Sequence, residues 1–157
     1  MRAAVTAYIG LGANLGDPAA MLRWALARLA ELPETELQAR SGLYRSAPHE
    51  TDGPEFVNAV ARVATRLTAP ALLDALLALE LQAGRERPYR YAPRTLDLDL
   101  LHYGSAAVRS PRLTLPHPRA HERAFVLRPL AELAPGLVGA AQLAAVADQP
   151  IRWWAEA

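Results

Sequence analysis

The spacing of apolar residues changes repeatedly along the chain between a period of two and a period near 3.6, and this alternation restricts the fold most strongly. Patterns of the β type cover residues 4–11, 36–45, 56–66 and 95–103. Helical spacing covers residues 17–33, and a second helical pattern covers residues 68–84. Because strands repeat every two residues and helices every 3.6, the predicted order is strand, helix, strand, strand, helix, strand.

This order predicts an α+β fold of the ferredoxin-like βαββαβ plan. In that plan an antiparallel sheet carries both helices on one face, and we expect the other face to stay open. Short helical patterns around residues 125–133 and 140–147 predict a C-terminal helical extension. No internal repeat or linker interrupts the 157 residues, so we predict a single domain, 1–157.

The amino-acid composition excludes several kinds of chemistry. The chain has no cysteine, which excludes disulfides, thiolate catalysis and zinc sites built on sulfur. All 17 basic residues are arginine, which excludes a Schiff base and a phosphate loop that requires lysine. A net charge of +1 gives no general attraction to nucleic acid or anionic membranes. Without a membrane span or an export signal, we expect a cytoplasmic protein.

Two acidic residues stand out in the fourth predicted strand. Asp97 and Asp99 are two residues apart, so on a strand they share one face at a spacing of about 6.7 Å. Leu96, Leu98 and Leu100 then point into the core. Neighbouring carboxylates repel unless a cation lies between them, and Mg²⁺ prefers such oxygen ligands. A solvated strand face that pairs with arginines is the alternative for this pattern alone.

Arginines are concentrated on both sides of this acidic strand. The first cluster precedes it in a proline-containing loop, and the second surrounds Pro116-His117-Pro118. Their members are Arg85, Arg87, Arg90 and Arg94, and Arg109, Arg112, Arg119 and Arg123. Such runs are often only solvated surface. Beside metal-type carboxylates, however, they indicate a polyphosphate site, because cations and guanidinium groups both neutralise phosphate oxygens.

Other motifs favour less specific interpretations. The segment GLGANLGD resembles a dinucleotide-binding fingerprint, but its third glycine comes one place late and no acidic strand follows at the required distance. It predicts a tight strand-to-helix turn at Gly10, Gly12 and Gly16. His117 and His121 lack the pattern of a zinc site. Trp153 and Trp154 are expected to cover core surface.

These motifs together resemble a known family. The segments YIGLGANLGD, LYRSAP, FVNAV, LELQAGRER, PRTLDLDLL, RLTLPHP and ERAFVLRPL occur in the order and at the spacing of the 6-hydroxymethyl-7,8-dihydropterin pyrophosphokinases of folate biosynthesis. The resemblance covers the chain to about residue 135. It implies a ferredoxin-like fold and transfer of the β,γ-pyrophosphoryl group of ATP to the pterin hydroxymethyl group, with release of AMP.

The resemblance also implies roles for individual residues. Two Mg²⁺ ions would bind Asp97 and Asp99, which would be catalytic together with Arg85 and Arg94. The residues implied to bind ATP are Glu80, Arg85, Arg87, Arg94, Leu100, Arg112, Thr114, His117 and Arg123. The residues implied to bind the pterin are Ser46, Ala47, Pro48, Phe56, Asn58, Tyr91, Asp97 and Phe125.

Strand alternation supports part of this assignment independently. Phe56 and Asn58 fall on the side of their strand that is expected to share the open face with the two aspartates. His49, Phe56 and Tyr91 depart from the residues common in the family, as does Ala47, and these departures concern the pterin site.

The expected partners are therefore two small molecules, ATP and a hydroxymethyl dihydropterin. We expect no nucleic acid and no membrane, and a monomer or a weak dimer. An RNA-binding module and a dinucleotide-dependent reductase are the alternatives.

Overall fold

The computed structural model describes residues 2–47, 54–85 and 96–157, without the side chain of Arg85. Its helices and strands are β1 (Val5–Ala13), α1 (Pro18–Ala30), β2 (Thr35–Arg40), β3 (Leu43–Ser46), β4 (Phe56–Thr65), α2 (Ala69–Arg85), β5 (Asp97–Tyr103), β6 (Val108–Arg109), β7 (Thr114–Leu115), α3 (Ala124–Leu133), α4 (Ala140–Ala145) and β8 (Ile151–Ala155). None of the helices in these three ranges is long and apolar enough to cross a membrane.

The main sheet confirms the predicted topology. Its strand order is β5-β1-β4-β3-β8, with β2 also paired to β4, and its pairings are antiparallel. Helices α1 and α2 pack on one face, where Leu22 and Leu72 are buried against Ile9 and Val57 of the sheet. Helix α1 begins as predicted, because the Asp17 side chain accepts a hydrogen bond from the Ala20 amide at 3.1 Å.

The opposite face, called here the second face, is covered in part rather than open as expected. Helix α3 packs there, and its Leu127 and Leu130 are buried with Val60 and Leu101 of the sheet. Leu101 lies on this face by ordinary strand alternation, since it comes two residues after Asp99. The β1–β5 register then shifts by one residue at a bulge, so Tyr103 is buried on the helix-covered face instead of following Leu101.

The predicted strand 36–45 is two strands in the structure, β2 and β3. The break lies at Ser41, whose hydroxyl accepts a hydrogen bond from the Val60 amide at 2.9 Å in place of a regular ladder contact. The next amide, of Gly42, donates to the Glu132 carboxylate of α3 at 3.1 Å. Ser41 therefore stays bonded to β4, and its amide also donates to the Val60 carbonyl at 2.9 Å, whereas a contact with a distant helix replaces strand pairing at Gly42.

The C-terminal extension contains the predicted helices α3 and α4, but it ends in a strand that the sequence did not predict. Strand β8 pairs with β3 at the edge of the sheet. Contrary to expectation, Trp153 and Trp154 are 52% and 38% exposed. Trp153 lies against Gly42, and the Arg45 guanidinium lies 3.9 Å from the ring centre of Trp154. Five residues were too few to show a strand alternation.

Candidate active site

A row of residues across the second face forms the floor of the site. The strand registers place Asp97 of β5 beside Gly12 of β1, and Gly12 beside Asn58 of β4. A Cβ atom at Gly12 would lie 3.3 Å from the Asn58 Oδ1 atom, which is closer than side chains normally approach. Glycine therefore keeps the floor open between a carboxylate and an amide.

The same observation corrects the expected glycine turn. Gly10 and Gly12 lie inside β1, where they alternate onto the second face and line the cavity. Only Gly16 lies in the turn before α1, with a φ of 65°. Glycine at alternate positions of an apolar β-type segment was the signal for these two residues, and the similarity to a loop motif concealed it.

Above this floor lies a cavity of about 380 Å³, within the range of small-molecule sites. Phe56 at the start of β4 and Phe125 of α3 contribute aromatic rings to its walls. The Arg123 guanidinium lies 5.4 Å from the ring centre of Phe125. The residues that line the cavity are Gly10, Leu11, Gly12, Ala47, Phe56, Asn58, Ala59, Asp97, Asp99, Arg123, Phe125 and Val126.

Asn58 is a buried polar side chain with a fixed orientation. It is 2% exposed, and its Nδ2 atom donates a hydrogen bond to the Ser46 hydroxyl at 2.7 Å. Its Oδ1 atom is the one that lies nearest the open position at Gly12. Ser46 therefore orients the amide without facing the cavity itself, and the predicted alternation of β4 is confirmed.

Asp97 and Asp99 both line the cavity, whereas Leu98 and Leu100 are buried on the helix-covered face. The predicted division of this strand is therefore confirmed. The buried Glu80 carboxylate of α2 accepts a hydrogen bond from the Leu98 amide at 2.8 Å. Glu80 thus links helix α2 to strand β5 at Leu98, the residue between the two aspartates.

His117 approaches Asp99 from the loop after β7. Its Nε2 atom lies 3.9 Å from Asp99 Oδ1, and its main-chain amide donates to the Leu101 carbonyl at 3.0 Å. The Arg119 amide donates to His117 Nδ1 at 3.2 Å, so a neutral ring carries its proton on Nε2. Burial lowers the pKa of His117, Asp99 opposes this shift, and Arg123 and Arg119 lower the pKa further.

The other predicted site residues lie elsewhere or outside the described ranges. Arg112 forms an ion pair with Asp74 of α2, and Thr114 begins the short strand β7. The Leu100 side chain is buried in the core and does not line the cavity. Pro48, Arg87, Tyr91 and Arg94 lie outside the described residues, as does the side chain of Arg85.

Fold and site together define a class of protein. It is a ferredoxin-like α+β protein with a small-molecule cavity on the sheet, in which carboxylates, an amide and two aromatic rings converge. Such a cavity suits a flat heterocycle that is hydrogen-bonded at its edge.

Comparison with known proteins defines the family more closely. Residues 8–135 match the family described as 7,8-dihydro-6-hydroxymethylpterin-pyrophosphokinase (HPPK). A 2-amino-4-hydroxy-6-hydroxymethyldihydropteridine pyrophosphokinase of Methylorubrum extorquens is 49% identical over 133 residues, which are 84% of each chain. Another from Pseudomonas aeruginosa is 50% identical over 131 residues, which cover 83% of this chain and 81% of the relative.

A solved structure supports the fold alone. The crystal structure of a Plasmodium falciparum HPPK-DHPS with pterin and p-hydrobenzoate matches with a TM-score of 0.59 at 13% identity. The match covers 83% of this chain and 41% of that chain. The chain belongs to the HPPK family, and the RNA-binding and reductase alternatives are thereby set aside.

Proposed function

We propose that this chain transfers the β,γ-pyrophosphoryl group of ATP to the hydroxymethyl group of 6-hydroxymethyl-7,8-dihydropterin. The products are AMP and the pterin diphosphate. Membership of the HPPK family supports the reaction. The structural observation that supports it best is the row Asp97, Gly12 and Asn58, which sets a carboxylate and an amide on either side of an open floor.

The pterin occupies the cavity between Phe56 and Phe125. Aromatic rings bind the faces of a flat heterocycle, and an amide can match the donors and acceptors along its edge. Asn58 suits this purpose because its Nδ2 atom donates a 2.7 Å hydrogen bond to Ser46, which holds the amide group in one orientation. The hydroxymethyl group then points towards Asp97.

The residues present fit Mg²⁺ that arrives with the nucleotide. Among residues 2–47, 54–85 and 96–157, no group of three His, Cys, Asp or Glu side chains could hold a metal ion. Mg²⁺ requires less, since it commonly binds one or two carboxylates and takes phosphate oxygens and water as its other ligands. Asp97 and Asp99 would hold two such ions, which would neutralise the phosphate oxygens around the β-phosphorus.

The protein groups position the reactants and balance charge. The pterin hydroxymethyl oxygen forms a bond to the β-phosphorus, and the bond between the β-phosphorus and the α,β-bridging oxygen breaks. That oxygen leaves with AMP, and the hydroxyl proton passes to water or Asp97. Arg123 supplies a guanidinium beside the cavity, and we assign Arg85, Arg87 and Arg94 to the β,γ-pyrophosphoryl group that is transferred. The Nε2–H group of His117 lies 3.9 Å from Asp99 Oδ1, beyond hydrogen-bond distance, and we assign it to a phosphate oxygen of the nucleotide.

Product analysis tests the proposal directly. After a single turnover with ATP, Mg²⁺ and the pterin alcohol, ion exchange separates the nucleotides. We expect AMP together with the pterin diphosphate. ADP together with a pterin monophosphate would show that the γ-phosphorus is attacked and would reject the assignment. The cytoplasmic location and the monomeric or weakly dimeric state stay predictions.

A further inference from the structure

The start of helix α3 carries two residues of the candidate site but has no cap of its own. Arg123 occupies the N-cap position with φ −127° and ψ 117°, and its side chain makes no capping hydrogen bond. The cavity-lining residues Arg123 and Phe125 lie on either side of Ala124. An uncapped first turn leaves amide groups without an intrahelical partner, so another group has to satisfy them.

Gln149 supplies that group from 25 residues further along the chain. Its Oε1 atom accepts a hydrogen bond from the Ala124 amide at 2.8 Å. Its Nε2 atom donates to the Glu122 carbonyl at 3.0 Å. These are the two peptide groups that flank Arg123, so a single side-chain amide fixes the main chain on both sides of that residue.

The chain is held in place on both sides of Gln149. Its main-chain amide donates to the carbonyl of Val146 at 3.0 Å, and Val146 is buried in the cluster beneath α3. Two residues later Ile151 begins β8 and pairs with Ser46, which orients Asn58. The segment from Val146 to Ile151 therefore connects the α3 wall of the cavity with the β3 edge, although it lies beyond the family match that ends at residue 135.

We propose that Gln149 is a positioning residue, which acts through the main chain around Arg123 to set the directions of the Arg123 and Phe125 side chains over the cavity. This inference rests on the proposed function, because it concerns the wall assigned to the pterin. When both hydrogen bonds are lost, the φ and ψ angles of Arg123 are released and the first turn of α3 is freed to move. The Phe125 ring then leaves its place against the ligand.

The test compares two glutamine-to-alanine variants. Gln142 caps α4 through a hydrogen bond from the Gly139 amide at 2.9 Å and does not line the cavity, so Gln142→Ala is the matched control. Affinity for the pterin alcohol is measured by calorimetry with Mg²⁺ and α,β-methylene-ATP, in which the bond to be broken is replaced. We expect Gln149→Ala to weaken pterin binding about tenfold, the scale of one or two lost hydrogen bonds. Gln142→Ala should bind like the wild type.

A conservative variant separates positioning from general stability. Gln149→Glu keeps the acceptor for Ala124 but removes the donor to Glu122, so its affinity should lie between those of the wild type and Gln149→Ala. Equal pterin affinity and equal kcat for Gln149→Ala and Gln142→Ala would overturn the inference. If Gln149→Ala does not fold, wild-type affinity in Gln149→Glu would overturn it instead. Release of AMP by the wild type tests the reaction separately.

Discussion

Gly12 is the residue at which the smallest change should have the largest effect on ligand binding. In Gly12→Ala the added methyl group enters the floor 3.3 Å from Asn58 Oδ1 and beside Asp97. We expect kcat/KM for the pterin alcohol to fall by about tenfold to a hundredfold, the scale for small displacements from a productive geometry. Thermal stability should change little, because alanine suits a strand at least as well as glycine.

Gly136→Ala is the control for this prediction. Nothing lies within 4 Å of the position that its Cβ would take, and Gly136 does not line the cavity. Steady-state kinetics and thermal melts are compared for both variants. Unchanged kinetics in Gly12→Ala would mean that the ligand does not approach the floor.

Asn58 should select the pterin without affecting the nucleotide. Asn58→Leu replaces a buried amide by an apolar side chain of similar size and leaves the Ser46 hydroxyl without the donor from Asn58. We expect kcat/KM for the pterin alcohol to fall by about a hundredfold or more, because a site built for hydrogen bonds loses heavily when they are missing. Binding of ATP alone, measured by calorimetry, should be unchanged. Equal losses for both ligands would assign Asn58 to the fold.

At the scale of elements, strand β5 concentrates the acidic groups of the site. Asp97→Asn and Asp99→Asn each remove one charge from a pair that shares a face. Turnover at saturating Mg²⁺ should fall by about a hundredfold or more, the scale for losing one charged group that acts on the transition state. The unfolding temperature should stay level or rise, because repulsion within the pair is relieved.

Asp17→Asn is the matched control for the aspartate variants, since asparagine caps a helix as well as aspartate does. Its turnover and melting temperature should match the wild type. Near-normal activity in either Asp97→Asn or Asp99→Asn would remove that residue from the proposed metal site.

Helix α3 is attached to the sheet by a carboxylate near its C-terminal end. The Glu132 carboxylate accepts hydrogen bonds from the Tyr44 hydroxyl at 2.7 Å and the Gly42 amide at 3.1 Å. Burial and the hydrogen bond to Glu132 raise the pKa of Tyr44 above its usual range, so the phenol stays protonated as the donor. These contacts lie at the break between β2 and β3.

Glu132→Ala should therefore cost about 1–3 kcal/mol of unfolding free energy, the penalty for unsatisfied buried partners. Glu132→Gln keeps an acceptor and should cost less. Urea denaturation measures both, and a cycle with Tyr44→Phe isolates the side-chain pair. If alanine and glutamine variants are equally stable, the carboxylate does not attach α3 to β3.

The sequence pattern was sufficient to predict helices and strands whose apolar spacing extends over many residues. The alternation of β4 and β5 predicted which side chains face the cavity, and it placed Asn58, Asp97 and Asp99 together on the second face. The break at Ser41 was not predictable locally, because it depends on contacts with Val60 of β4 and, at the next residue, with α3. The bulge in β5 was not predictable either, because it depends on the pairing with β1. Gln149 carried no signal, since its partners are main-chain groups 25 and 27 residues away.

At the scale of the whole molecule, ligand binding should appear as a gain in stability. A ligand at about 100 times its Kd adds about 2.7 kcal/mol by linkage, or roughly 5–10 °C for a domain of this size. We expect that rise with Mg²⁺ and α,β-methylene-ATP in a thermal-shift assay. EDTA should remove most of it. A shift that survives EDTA would show that the nucleotide binds without the metal ion.

The glycine floor of β1 has a consequence for inhibition and resistance. A compound pressed against Gly10 and Gly12 would contact main-chain atoms, which no point substitution removes. Every substitution at these positions adds atoms, and at Gly12 the first added carbon already crowds Asn58. A variant that excludes such an inhibitor there would exclude the natural substrate by the same atoms. Escape by mutation would therefore have to come from the side-chain walls of the cavity, where size and shape can change independently of the floor.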